Sequence, residues 1–579
     1  MQESIPAWVR EKPLPVMPDR EETSSTVKSL RRDLRYAATD DELRGVLRDI
    51  DHCLQSLEEG ETDLRIRSFY LPGDHTIREA LFEFGNAKLG VYAELADLLE
   101  TVARSSKSRK LEPFVDKTYL YDADRLASTY AKNLLAHLLV ERELIRKQMK
   151  RLQDASLSTT QWGSIKGEVR LLFQSSSRDK RARAYNSFIS QLSKSREEMV
   201  GHFLELHMLR RMISEKAGYK NFYEYETRRV GQTDSFRSQV RAFRLFVQEH
   251  VSPVMIHLFR LKWERLGLEE PEPWDLMYPA EFGLPKLRKQ AFPLDKASMD
   301  ACQLVCEAEV PVLKDMLGRQ ALYLGVLPTP EDISSPVMSS HPWGTRLFSA
   351  YSRQKEQSFL MMESVPQELL AGTLFYEIGT LLFEQSNATK GLYTLPSFNR
   401  MLAKKIAGHS LVFLSQKAWN TFYGPMTMYA REYLLSEILL QLPRACALDE
   451  MEEFLAKARI SDMNVFQHAW REIAGRYHLP GMPGCGPGLL SPGDVWMYAP
   501  DLWSAPLSGI ADAIALVTVL GTLPLGKHHQ HLENCLLRLL NNADGCEPVD
   551  RAKDAGYPSP FEEETIRKSV FTLADFLAL

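Results

Sequence analysis

The sequence predicts a mainly α-helical protein carrying one small β-sheet. Three observations support this. Apolar residues recur at spacings of three and four through most of the 579 residues. Strand-like runs are confined to TRLFSAYSR (345–353) and QSFLMMES (357–364). No run of about 18 apolar residues, the length that spans a bilayer, is present.

Taken in order, residues 1–22 read as an extended arm, charged and proline-containing, with no apolar core of a signal peptide. A helical unit is expected over 23–205, with three-and-four periodicity in LRRDLRYAATDDELRGVLRDIDHCLQSL and TIREALFEFGNAKLGVYAELADLLETVA. A second unit is expected over 206–579. It opens with GYKNFYEYETRRVG and the helical run RAFRLFVQEHVSPVMIHLFRLKWERLGL. Proline-rich irregular segments follow at 269–293 and 328–343, then the two strands, then helices broken by a Gly/Pro loop at 479–494. The apolar stretch IADAIALVTVLGTLPLG contains Asp512 and ends at Pro524, as a buried helix does.

Composition excludes several classes. Hydrophobic residues make 44% and charged residues 25%, and the formal net charge of −5 gives no global attraction to nucleic acid or anionic membrane. The basic cluster Arg142–Arg151 is interleaved with apolar positions and reads as a solvated helix face. Seven cysteines, thinly spread, make no disulfide framework and fit a reducing cytoplasm. Cys302 and Cys306, one turn apart, read as core packing.

The most informative stretch is Tyr376-Glu377-Ile378-Gly379-Thr380, inside the helical run LLAGTLFYEIGTLLFEQ. A zinc peptidase carries His-Glu-x-Gly-His in such a helix. Two histidines at i and i+4 hold the metal and the glutamate polarises its water. Here the Glu and Gly are present, but Tyr376 and Thr380 stand at the histidine positions. Other histidines give weaker signals. His528, His529 and His531 cluster without a completing Cys or Asp. His202 and His207 are not on one helix face. His341 and Trp343 lie just upstream of the strands, and His409 reads as a core or cleft residue.

The order of several motifs resembles the oligoendopeptidase F and thimet-type zinc metallopeptidases, nearly end to end. GYKNFYEYETRRVG, ERLGLEEPEPWDL, SFLMMESVPQELLAGTLFYEIGTLLFE, FLSQKAWNTFYG, YAPDLWSAPLSGIADAIA and LLRLLNNADGCEPVDRAKDAGYP each resemble a family segment in the family order. The resemblance implies a two-lobed helical ellipsoid, neurolysin-like, with a deep central channel and the small sheet on its wall. It also implies that SFLMMES is an edge strand binding an extended peptide, so Ser358, Phe359, Leu360, Met361 and Met362 become ligand-binding candidates. The family's histidine ligands fall on Tyr376 and Thr380, and its glutamate ligand falls on Lys405. A substrate-side histidine falls on Asp501, and oxyanion-side tyrosines fall on Ser508 and Asp512. Only the general-base glutamate survives, as Glu377.

A protonated lysine has no lone pair to give a metal. The expectation is therefore no metal and no cofactor. Lys405 is expected to stand where the ion stood and pair with Glu377, with Tyr376 filling part of the volume. The first functional expectation is a pseudoenzyme that binds a peptide or peptide-like molecule. It has no nucleic acid or membrane partner, and a protein partner is left open. The alternative is a repurposed metal-free enzyme, in a biosynthetic pathway, with Glu377 as base and Lys405, Tyr376 or His409 as acid or electrostatic partner. A third reading keeps an active peptidase with unlocated ligands.

Overall fold

The computed structural model describes residues 9, 12–71, 74–105, 107–157, 175, 177–194, 196–269, 272–276, 322–327, 347–363, 370–388, 392–459, 461–479, 501–523, 530–541 and 549–577. Most of the proline-rich segment 269–293, where Pro273–Leu276 forms a short helix, all of 328–343, almost all of the Gly/Pro loop, Cys302, Cys306, His341, Trp343, His528 and His529 lie outside them. Among the described residues the chain is mostly helical, as the periodicity requires, and no helix is long and apolar enough to cross a membrane.

Helix α1 (Arg20–Tyr36) starts within the expected arm, because Asp19 caps it by accepting from the backbone N–H groups of Glu21 and Glu22. The arm before it is held by Arg67, whose guanidinium donates to the carbonyls of Lys12 and Pro13. Helix α2 (Asp40–Tyr70) begins with a complete capping box between Thr39 and Glu42. Helices α1, α2 and α3 (His75–Arg104) enclose one apolar core, which includes Val27, Leu34, Ile50, Leu95 and Leu99. A larger core begins near Leu134 and runs to Leu573.

Helix α4 (Phe222–Val230) is capped by Asn221 and stopped by Gly231, whose φ of +87° is open to glycine at little cost. The next run, expected as continuous helix, contains a π turn at Val247–Val251 between Asp234–Phe246 and Ser252–Arg265. Pro253 explains the interruption. It lacks an N–H for the ladder, and a wider turn accommodates the loss.

Among the described residues the sheet has three strands: β1 (Leu322–Leu327), β2 (Leu347–Ser352) and β3 (Gln357–Glu363), in the order β1-β3-β2. β1 runs parallel to β3 and β2 antiparallel to it. β1 was not expected from the sequence. Its presence corrects the reading of SFLMMES as an edge strand, because β3 is paired on both sides and has no free main-chain edge. Ser358, Phe359, Leu360 and Met361 are moreover buried. Phe359 and Met361 pack with Ile66, Phe69 and Tyr70 at the end of α2, while Leu360 joins the larger core. The side chain of Met362 is outside the description. These residues are the sheet's packing faces, and among the described residues the edge strands are β1 and β2.

Helix α5 (Leu370–Ala388) follows β3 and packs along α6 (Phe398–Ser415), which in turn packs on α7 (Ile510–Leu520). The α5–α6 crossing is very close. A Cβ at Gly379 would lie 2.6 Å from the Ala407 carbonyl oxygen and 2.8 Å from the Gly408 Cα. A Cβ at Gly408 would lie 2.9 Å from the Tyr376 ring. The glycine of the sequence motif is thus a helix-crossing residue.

Candidate functional site

Three helices and one strand converge on the motif. Glu377 and Tyr376 come from α5, Lys405 and His409 from α6, one turn apart, and Asp512 from the first turn of α7. The fourth contributor is Ser349 of β2. Strand alternation places Phe348 on the face packed with α2 and turns Ser349, opposite Leu360, toward α5. The Ser349 hydroxyl donates a short hydrogen bond to Oε2 of Glu377.

Lys405 does not pair with Glu377 as the sequence led one to expect. Its Nζ lies 2.6 Å from Oδ2 of Asp512. The Tyr376 hydroxyl donates to Oδ1 of the same carboxylate at 3.0 Å. His409 stands edge-on to the Tyr376 ring, centroids 4.8 Å apart, with Nε2 4.0 Å from Asp512. One carboxylate, read from the resemblance as a lost oxyanion tyrosine, is therefore the hub to which ammonium and phenol both turn, with the imidazole beside it and out of hydrogen-bond range. A desolvated ammonium has a nearer and more exposed anion in Asp512 than in Glu377, which already accepts from Ser349.

Thr380 plays no part in this network. It is buried, and its hydroxyl donates at 2.9 Å to the Glu377 carbonyl of its own helix. The Ser508 hydroxyl likewise turns to the carbonyl of Ala505. The side chain of Asp501 lies outside the description. His531 sits on a separate helix, with Nε2 3.8 Å from the Cys535 sulfur.

The electrostatics separate the two carboxyls. Desolvation pushes Glu377 above the ordinary glutamate range, against the Ser349 hydrogen bond and the attraction of Lys404 and Lys405. Desolvation also acts on Asp512, but Lys405, His409 and the bonds from Lys405 and Tyr376 outweigh it, so this carboxyl is held below its ordinary value. Burial lowers His409 to about 4, with Lys405 adding to the effect and Asp512 opposing it. The ring is neutral near pH 7 and brings no positive charge, which removes it as an electrostatic partner at that pH. Burial, then Asp512 and Glu377, raise Tyr376 well above the usual phenol value.

Of the Asp512 side chain, 49% is accessible to solvent.

The geometry of Glu377 gives a pH prediction. A carboxyl whose folded pKa is raised binds its proton more tightly in the folded state, so its contribution to stability falls as pH rises through that pKa. Glu377→Gln is expected to unfold at higher denaturant than the parent at pH 7–8. The difference should shrink toward pH 4, as read by denaturation midpoints across that range.

The zinc set implied by the resemblance does not fit these residues. Tyr376 and Lys405 are engaged with Asp512, Thr380 with its own backbone, and a protonated ammonium is no ligand. Among the described residues no group of three or more His, Cys, Asp or Glu is arranged to hold a metal ion.

No family model and no curated protein matches this sequence. Solved structures do match. The chain superposes on PZ peptidase A, solved with an inhibitor, with a TM-score of 0.85 over 98% of both chains at 18% identity. It matches a structure assigned to oligoendopeptidase F from Bacillus anthracis str. Ames with a TM-score of 0.81 over 97% of both chains at 17% identity. Oligoendopeptidase F from Enterococcus faecium matches at 0.59 over 96% of both chains, with 12% identity.

Proposed function

We propose that this chain, whose fold is that of oligoendopeptidase F, binds an extended peptide or peptide-like ligand and does not hydrolyse it by zinc chemistry. The observation that carries this reading is the Lys405–Asp512 contact, reinforced by Tyr376, at the positions where the resemblance places metal and oxyanion groups. An ammonium supplies one positive charge and no Lewis-acid orbital. It offsets a buried anion but does not lower the pKa of a water molecule as a metal does.

Binding has different requirements. An extended ligand needs a free strand edge. Among the described residues β2 lies at the edge of the sheet opposite β1, and its Ser349 reaches the centre of the site. A ligand paired along β2 would pass Glu377.

A second reading keeps chemistry at Glu377. Its raised pKa and its hydroxyl partner are properties of a general base, and the ligand would be a peptidyl or amino-acid-derived substrate.

The test joins three measurements on the full chain: metal content, binding of a labelled peptide library, and hydrolysis of the same peptides with and without chelator. Peptide retention with metal far below stoichiometric and no chelator-sensitive cleavage supports the proposal. About one zinc per chain, with cleavage abolished by chelator, overturns it. Metal-independent turnover that is lost in Glu377→Gln selects the second reading.

A further inference from the structure

Two full turns along α5 from Glu377 lies Glu384, on nearly the same helix face and about 10 Å away. Around it stand three cations from two elements. Arg353 follows directly on the end of β2, and Arg400 and Lys404 are one turn apart on α6. The Arg353 and Arg400 guanidiniums both donate to one neutral acceptor, the Thr394 hydroxyl, Arg353 at 3.5 Å. Two guanidiniums brought to a single uncharged oxygen repel each other unless an anion bridges them.

The anion at hand is Glu384, which burial raises but Lys404, Arg400 and Arg353 together hold below the ordinary glutamate range, through contacts that are long. Arg400 is 3.5 Å and Lys404 3.3 Å from Glu384, and Arg353 is 3.6 Å from Asp51. A well-made charge-assisted hydrogen bond measures about 2.7–2.9 Å. The same protein makes such bonds nearby, with Lys88 2.6 Å from Glu61. The three cations keep 25%, 15% and 29% of their side chains accessible to solvent, so an incoming anion can reach them. Glu58, facing the cluster from α2, feels Arg353, Arg400 and Lys88 as attraction and Glu384 as repulsion.

We propose that Arg353, Arg400 and Lys404 form a carboxylate subsite for the ligand that lies along β2. The inference rests on the peptide-binding reading above. It adds that the ligand carries a carboxylate about three extended residues from the point nearest Glu377. Planar guanidiniums suit this group, since each presents a fork of donors to two carboxylate oxygens. The carboxylate is either the free C-terminus of a peptide or an acidic side chain.

The test uses fluorescence anisotropy with the full chain and labelled peptides of about six residues. Each peptide is made as free acid, as C-terminal amide, and as amide with one glutamate placed in turn at each position. The carboxylate-bearing forms are expected to bind at least about tenfold more tightly than the plain amide. The free acid winning assigns the subsite to a C-terminus, and one glutamate position winning assigns it to a side chain. The preference should be lost in Arg400→Gln and weakened in Arg353→Gln. Glu58→Gln removes a competing anion without removing a cation and should strengthen it, which guards against misreading a folding defect in the arginine variants. Equal binding of carboxylate and amide forms overturns the subsite and leaves the peptide reading standing. Binding of neither form overturns the peptide reading, and the subsite with it.

Discussion

Replacing Gly379 with valine is expected to destabilise the protein by about 3 kcal/mol, the upper part of the range for overpacked interiors. The reason lies in what a side chain would meet. At 2.6 and 2.8 Å from an added Cβ stand the Ala407 carbonyl oxygen and the Gly408 Cα. These are backbone atoms of a neighbouring helix, which cannot rotate aside as a side-chain end would. Helices α5 and α6 must then separate, and both sides of the site move with them. Tyr376 belongs to one helix and Lys405 to the other, yet both hold Asp512. Gly379→Val should therefore lower the denaturation midpoint, and Gly379→Ala should lower it less. A valine variant as stable as the parent would show that the two helices do not cross at this point.

The same glycine shows what the sequence could and could not convey. Its place in the motif was visible, because the spacing of Glu377 and Gly379 survives. Its reason was not, since the partner that excludes a side chain lies 28 positions further on, at Ala407. The helical class was legible because three-and-four periodicity is a local property. Tyr376, Lys405 and Asp512 were singled out by the resemblance and His409 as a lone core or cleft histidine, and the structure does bring them together. Their pairing was not legible. Whether Lys405 turns to Glu377 or Asp512 depends on side-chain reach across two helix contacts. Ser349 was missed altogether, although it lies in a run already read as a strand. A single serine in a strand carries no signal until the opposite residue, Leu360, fixes which face it occupies. The edge assignment failed for a related reason. LYLGVL is a short apolar run with few turn signals, and its partner is a parallel strand more than thirty residues away. With β1 unread, β3 was mistaken for an edge.

Lys405→Glu is expected to cost about 2–3 kcal/mol in the absence of divalent cations and to make stability depend on them. The parent places an ammonium 2.6 Å from Asp512, with Glu377 close enough to feel it. The substitution replaces that attraction with a third carboxylate beside Asp512 and Glu377. Like charges set together away from bulk water cost several kcal/mol, and the figure is reduced here because half of the Asp512 side chain reaches solvent. Two consequences follow, both relieving the repulsion. As pH falls through the carboxylate range the repulsion is relieved by protonation, so the variant should lose less stability on acidification than the parent, whose Asp512 carboxyl is held low by Lys405. At neutral pH a hard divalent ion such as calcium or manganese, which takes oxygen ligands, should raise the variant's denaturation midpoint and leave the parent's unchanged. This outcome would show that one ammonium does the electrostatic work of an ion at this site. Parent-like stability in Lys405→Glu, indifferent to added cation, would mean that the ammonium neutralises nothing there, and the reading of the site as charge-compensated by lysine would fall.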